Sequence, residues 1–304
     1  MSKGAVYRDY DQTALDAQYN NQLAAPQFRD HIRRYRELTD QAKSAVMCSE
    51  NIAYGESLQE RLDIYRPLRT GAPVQVFIHG GAWQQLGKDD SGFAAVAFVG
   101  AGAMLVALGF GRVPDVPVDT MVDQVRRAIA WLWRNVEDYG GDSDKIFVSG
   151  HSSGAHLVSQ CLSADWPGKF RCPADVIKGA TFISGLGDLE PVRLSYRNAL
   201  LNLNEQGVES LSLMHQQPTV KCPLLAVYAS GDTAEFRRQT REVGEYWRRQ
   251  QLDAEIIEIA GRGHYDIVLD LADRQSELFR ACARQMGLSA ALSPSTSTPE
   301  NATS

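Results

Sequence analysis

The feature that most constrains this chain is a repeated alternation of short apolar runs with helical patterns. The runs lie at 74–78 (VQVFI), 104–108 (MLVAL), 146–148 (IFV), 179–183 (GATFI), 224–228 (LLAVY) and 255–259 (EIIEI). Most are followed by glycine or a turn, then by apolar residues three or four apart. A strand apolar on both faces has to be covered on both sides. Such strands alternating with helices therefore predict an α/β fold, with a mostly parallel central sheet and helices on both faces. Residues 61–65 (RLDIY) alternate in the manner of a further strand. Among the helices, 119–139 carries Met121, Val122, Val125, Ile129, Ala130, Leu132 and Trp133 on one stripe and stops at Gly140–Gly141. Residues 12–46 read as a helical segment, 236–251 as a charged surface helix, and 267–286 as the helix that closes the fold. The apolar stretch AAVAFVGAGAMLVALGF is broken by glycines and reads as helix, turn and strand, not as a membrane span.

Length and composition set the outer bounds. A chain of 304 residues with 44% hydrophobic and 22% charged residues can build one large α/β unit, expected over 1–288. Residues 188–217 form a long insertion between strands, placed where a cap over a site would sit. The tail 289–304 is polar, low in complexity and proline-bearing, and is expected to be disordered. The net charge of −6 is spread along the chain without a basic stripe, which excludes nucleic acid as the expected partner. The opening MSKGAVYRDYDQ lacks the apolar core of a signal peptide. Five dispersed cysteines (Cys48, Cys161, Cys172, Cys222, Cys282) argue against a disulfide framework and against a zinc site. A reducing cytoplasm, no membrane and a homodimer are the default expectations.

The chemistry-bearing stretch is GHSSGAH, 150–156, directly after the 146–148 run. It is G-x-S-x-G between a strand and a helix, the setting of a nucleophile elbow that lifts the hydroxyl of Ser152 above the sheet edge. A serine hydroxyl needs a base to take its proton, and the base needs an orienting acid. On such folds the chain order is serine, acid, histidine. Of the later histidines, His156 lies one helical turn beyond the serine and His215 belongs to the insertion. His264 follows the last strand through a glycine-rich loop, where a catalytic histidine would stand. For the acid, Asp232 follows the 224–228 strand, one strand earlier than the histidine's. The competing reading is that Asp232 only caps the next helix. Asp266 is a rival acid poorly placed to face the ring, and Asp188 opens the insertion as a possible substrate contact.

Acyl transfer also needs donors for a developing oxyanion. The run at 74–78 leads into His79–Gly80–Gly81–Ala82–Trp83. This resembles the HGG-type loop that contributes one backbone N–H, with the residue after the nucleophile, Ser153, contributing the other. Gly80, Gly81, Ala82 and Ser153 are therefore the oxyanion-hole candidates. A phosphate-binding reading fails for want of the Walker lysine and its spacing.

With HGGAW, GHSSGAH, SGD and GRGHYD in order, the chain resembles the α/β-hydrolase superfamily over nearly all of 1–288. It looks like the HGG-containing branch related to hormone-sensitive lipase, and within it is most similar to the kynurenine formamidase (arylformamidase) family. The finer resemblance rests on LDAQYNN (15–21), SGL with DLEP (184–191), LNLNE (201–205) and DTAEF (232–236). It implies hydrolysis of an aryl formamide to formate and an arylamine. Ser152 would be the nucleophile, His264 the base and then acid, and Asp232 the orienter. No metal or organic cofactor is implied. Trp83 would wall the acyl side, and Phe110, Gly187 and Tyr265 would contact substrate. The family pattern is not followed at 109–114 (GFGRVP) or at Gly187, where relatives carry other residues, which puts the substrate in question. An esterase for short acyl or aryl esters is the alternative, and a non-catalytic binding protein on the same fold is a lesser one.

Overall fold

The computed structural model describes residues 4–288, so the tail expectation for 289–304 lies outside the described residues. Eight strands form one sheet: β1 (Cys48–Ala53), β2 (Arg61–Tyr65), β3 (Ala72–Ile78), β4 (Met104–Leu108), β5 (Gly141–His151), β6 (Ile177–Ile183), β7 (Leu224–Ala229) and β8 (Ala254–Ile259). Their order is β1-β2-β4-β3-β5-β6-β7-β8. The β1–β2 and β2–β4 pairs are antiparallel. Every pair from β4 through β3 to β8 is parallel. Each apolar run of the sequence falls within one of these strands.

Eleven α-helices accompany the sheet among the described residues. They are α1 (Gln12–Gln18), α2 (Asn21–Ala24), α3 (Phe28–Ala45), α4 (Ala95–Gly100), α5 (Val118–Asn135), α6 (Ser153–Cys161), α7 (Glu190–Leu194), α8 (Asn198–Leu201), α9 (Glu205–Leu211), α10 (Ala234–Arg249) and α11 (Glu277–Gln285). The two faces of the sheet bury separate cores. Val74, Val76 and Ile78 of β3 belong to one buried cluster with Met121, Val125 and Ile129 of α5 and Trp247 of α10. Phe77, pointing the other way, belongs to the second cluster with Tyr35 of α3, Phe98 of α4 and Phe279 of α11. This is the period-2 alternation of a strand with apolar residues on both sides.

Two expectations need correction. The closing segment 267–286 is not one helix: a 3-10 turn, Ile267–Ala272, ends before Ser276, which caps α11 by accepting from the Phe279 N–H. The apolar period runs across both pieces, so periodicity alone does not reveal the break. The N-terminal segment is likewise three helices. Asp11 caps α1, and Ala25 with Pro26 separates α2 from α3.

The parallel register brings the carboxyl ends of β3, β5, β6 and β7 level, with Ile78 opposite Gly150, His151 opposite Ile183, and Ile183 opposite Val227. In open parallel sheets this edge is where ligands bind. His79, Ser152, Ser184, Asp232 and His264 all follow strand ends along it.

Candidate active site

Ser152 occupies the turn between β5 and α6 with φ 56° and ψ −121°, a conformation that costs a non-glycine residue energy. Its N–H donates to the Ile183 carbonyl at 2.9 Å, which fastens the turn to β6. The bend is possible because a Cβ on Gly154 would lie 2.1 Å from the Ile78 carbonyl oxygen and 2.4 Å from that of His79. With hydrogen there instead, α6 closes directly onto the end of β3.

The Ser152 hydroxyl lies 3.0 Å from His264 Nε2, and His264 Nδ1 lies 2.7 Å from Asp232 Oδ1. All three residues are buried. Burial alone would raise the Asp232 carboxyl. Hydrogen bonds from His264, from the Ser184 hydroxyl and from the Ala229 N–H outweigh burial and hold it below the ordinary carboxylate value. A second function suggested for Asp232, capping α10, is absent, since the helix has no side-chain cap bond at Thr233. Phe236 and Tyr265 flank the imidazole edge-on, with centroids 4.6 Å and 5.4 Å away. Asp266 instead accepts from the Gly263 N–H at 2.6 Å and steadies the loop that carries His264.

The loop after β3 has three successive positive φ values: 101° at Gly81, which glycine adopts freely, and 54° at Ala82 and 61° at Trp83, which strain a residue with a Cβ. A Cβ on Gly81 would sit 2.2 Å from the Gln85 carbonyl oxygen. Gly81, Ala82 and Ser153 line the cavity together with Ser152. Ser153 is the first residue of α6, so its N–H has no partner within the helix. Its side chain has a further task that sequence reasoning missed: Ser153 Oγ accepts the Trp83 N–H at 3.1 Å, clamping the loop to the elbow. Gly80 does not line the cavity. It lies behind the elbow, where a Cβ would meet the His151 carbonyl oxygen at 2.7 Å.

Of the proposed substrate contacts, Trp83 and Tyr265 line the cavity, and Phe110 and Gly187 do not. Phe110 is buried and stacked on His79, with centroids 4.2 Å apart and planes 6° apart. Gly187 is packed against α10, where a Cβ would lie 2.3 Å from Val243. Asp188 is also directed elsewhere: it accepts the Glu190 N–H at 2.8 Å. Position along the chain after a strand places a residue near the mouth without fixing which way it faces. The cavity is covered mainly by the N-terminal segment, through Tyr19, Asn21, Gln22, Phe28, Ile32 and Tyr35, whereas 188–217 contributes Arg197 alone.

Ser184, directly after β6 with φ 45°, is a partner of Asp232 that sequence reasoning did not assign. Its hydroxyl donates to Asp232 Oδ2 at 2.6 Å. The signal available was a serine directly after the apolar run of β6 and before a glycine. Among the described residues no group of three or more His, Cys, Asp or Glu stands close enough to hold a metal. No helix among them is long and apolar enough to cross a membrane.

An imidazole between a hydroxyl and a carboxylate, on a parallel sheet in this strand order, defines a serine hydrolase of the α/β-hydrolase fold. Comparisons with known proteins agree. Residues 62–164 match the BD-FAE family model. A putative thioesterase from Silicibacter sp. TM1040 superposes with a TM-score of 0.75 at 23% identity, over 88% of this chain and 97% of that one. The chain is 30% identical to kynurenine formamidase of Salmo salar, over 95% of this chain and 98% of that protein. It is 31% identical to the Danio rerio kynurenine formamidase, over 93% and 99%. The chain belongs to the kynurenine formamidase family.

Three further histidines surround the site, each neutral. Burial pushes His79 down to about 4, His156 to about 4 and His151 to about 3, the last also through its neighbour His264. An unfolded chain takes up protons on these rings below their ordinary value of 6.5, whereas the folded chain does not. Their contribution to stability is therefore complete above pH 6.5 and is lost as pH falls towards 4 to 3. Urea unfolding at stepped pH should show stability falling by up to about 4 kcal/mol per pH unit below pH 6 from these groups. Replacing His156 by Gln should make that slope shallower.

Ser184→Ala removes a hydroxyl donor from a charged acceptor. It should lower kcat about ten- to a hundredfold, the usual worth of such a bond, and lower the melting temperature by a few degrees. A variant with unaltered kcat would remove Ser184 from the positioning of Asp232.

Proposed function

We propose that this protein hydrolyses N-formyl arylamines, N-formylkynurenine among them, through a formyl-serine intermediate. The observation that carries the reading is the Ser152–His264–Asp232 hydrogen-bonded chain, opening into a cavity walled by the rings of Phe28, Tyr35, Trp83, Phe236 and Tyr265. Flat aromatic walls suit a flat aryl leaving group. Membership of the kynurenine formamidase family supports the formyl group as the acyl part.

The reaction has two halves, acylation of Ser152 and hydrolysis of the formyl ester. Ser152 Oγ adds to the formyl carbon as its proton passes to His264 Nε2. Asp232 holds the other ring nitrogen, fixing the tautomer and stabilising the imidazolium. Charge developing on the carbonyl oxygen is met by N–H groups of the Gly81–Ala82 turn and by that of Ser153. The Trp83 N–H is already committed to Ser153 Oγ, so it serves the loop and not the oxyanion. Collapse of the adduct breaks the C–N bond, and His264 gives its proton to the departing arylamine nitrogen. Water then adds to the formyl ester, passing its proton to His264, and formate leaves as Ser152 regains a proton.

Side-by-side progress curves on N-formylkynurenine, formanilide, phenyl formate and phenyl acetate test the reading. The expected result is kcat/KM on formylkynurenine of about 10⁴ M⁻¹s⁻¹ or more, in the range of evolved enzymes. Rapid ester cleavage with negligible formamide turnover would overturn it. Ser152→Ala should lower kcat by more than about a thousandfold.

Asp232→Asn should lower kcat by roughly 10⁴ through the wrong histidine tautomer. If Asp266→Asn has that effect instead, the acid is misassigned.

A further inference from the structure

His264 must hold its ring between Ser152 and Asp232, yet it hangs from a loop beyond the end of β8. Before the histidine, the loop is fastened by its own residues and by the turn that carries Asp232. The Gly263 N–H donates to Asp266 Oδ1 at 2.6 Å, the Gly231 N–H donates to the Arg262 carbonyl at 2.9 Å, and Arg262 pairs with Asp270 at 2.7 Å. After the histidine, the fastening comes from far away in the chain. The Tyr35 hydroxyl, on α3, donates to the carbonyl of Tyr265, the residue next to the base. The Tyr265 ring meets the imidazole edge-on and packs on its other side against Phe28, also of α3, with centroids 5.7 Å apart.

Tyr35 is itself immobile. It is 2% exposed, and its ring lies 5.5 Å from that of Phe93. Phe93 is buried in turn and meets Phe77 edge-on, with centroids 5.1 Å apart and planes at 80°. Phe77 belongs to β3, two residues before His79 and the oxyanion loop. A row of packed rings therefore runs from the strand that carries the oxyanion donors to the carbonyl beside the base. Burial, with Tyr265 and Asp266 close by, pushes the Tyr35 phenol well above the usual tyrosine value, so the hydroxyl remains a donor. A phenol has few torsions, and packing against Phe93 leaves it a rigid strut.

We propose that Tyr35 is a positioning residue for the base: through the Tyr265 carbonyl it fixes where His264 stands relative to Ser152 and to the oxyanion loop. The role concerns the base alone and holds whichever acyl group is removed. It gives the N-terminal segment a task besides covering the cavity, since α3 then carries part of the mount of His264. A misplacement of about 1 Å can cost a hundredfold in rate, which is why a single hydroxyl outside the triad has a kinetic effect.

The test uses a small alkyl fluorophosphonate, so that it does not depend on the natural substrate. Ser152 Oγ attacks phosphorus, fluoride leaves, and His264 takes the serine proton. The saturating rate (kinact) and half-saturating concentration (KI) of labelling are measured with melting temperature for the wild type, Tyr35→Phe and Phe93→Leu. Each is measured again in a His264→Ala background. Tyr35→Phe keeps the ring and removes the donor. It should lower kinact about tenfold, the worth of one hydrogen bond, with KI little changed. Phe93→Leu, which keeps the phenol and removes the ring beneath it, should give the same pattern with a smaller drop, and it serves where Tyr35→Phe does not fold. In the His264→Ala background both substitutions should leave the residual rate as it is, because groups acting through one base are not additive. Three results would overturn the role: an unchanged kinact with a lowered melting temperature, which marks a brace of the fold; a raised KI alone, which marks a wall of the cavity; and a loss that persists without His264. A wild type that the probe does not label would overturn the activated serine itself.

Discussion

The site depends on one contact between backbones. Gly154 lies so close to the carbonyls of Ile78 and His79 that a single added carbon would collide with both. That approach presses the start of α6 against the end of β3, and two consequences follow. Ser152 is forced into a positive φ that holds its hydroxyl proud of the sheet, and the loop 79–83 is brought beside it. Ser152, Ala82 and Trp83 are three strained positive-φ residues lining one cavity. Strain of this kind persists only where the surroundings over-determine it. Here the Ser152 N–H bond to β6 and the Ser153 clamp on Trp83 do so.

Around that contact the electrostatics are arranged so that one ring can carry charge. His79, His151 and His156 are buried and held neutral, and His156 is tied between the Trp83 indole and the Leu211 carbonyl. His264 differs in facing a carboxylate. Asp232 receives hydrogen bonds from Ser184 and the Ala229 N–H on the oxygen that does not meet the imidazole. Those bonds keep it ionised although it is buried, and an ionised partner is what makes an imidazolium at His264 tolerable. A positive charge elsewhere in the cluster would have no such partner.

The strands were readable because both faces of the sheet are covered, so each strand is an uninterrupted apolar run. The meeting of Ser152, Asp232 and His264 in one hydrogen-bonded chain was readable because such a chain needs fixed residue types at successive strand ends, and chain order eliminates most rivals. Residues recognised by neither rule were not found. Ser184 and the Ser153 side chain act singly, with no spacing to betray them. Phe110 and Gly187 were assigned from their position beyond a strand end, yet one faces His79 and the other α10. Which way a loop side chain turns is decided by tertiary neighbours, and a linear pattern carries no record of them. The split of 267–286 has the same cause, since the apolar period continues across a turn that Ser276 creates.

The cover of the cavity shows how far chemistry and selection are separated in this chain. The reacting groups ride on the sheet edge, where the register of parallel strands sets their spacing. The residues that cover the cavity come from outside the sheet, and two of the covering segments meet at Tyr19. Its hydroxyl donates to Glu235 and accepts from Gln239 on α10, while its carbonyl takes Arg197 and Tyr196 from the 188–217 segment. Tyr19 therefore ties the N-terminal cover both to the helix that follows Asp232 and to the sole residue of 188–217 that reaches the cavity. Sequence change in these outer segments would alter which molecules enter without disturbing the contact at Gly154. That division is consistent with one fold serving an amidase and many esterases: the constraint at the elbow is strict, and the constraint at the mouth is set by whichever segments lie across it.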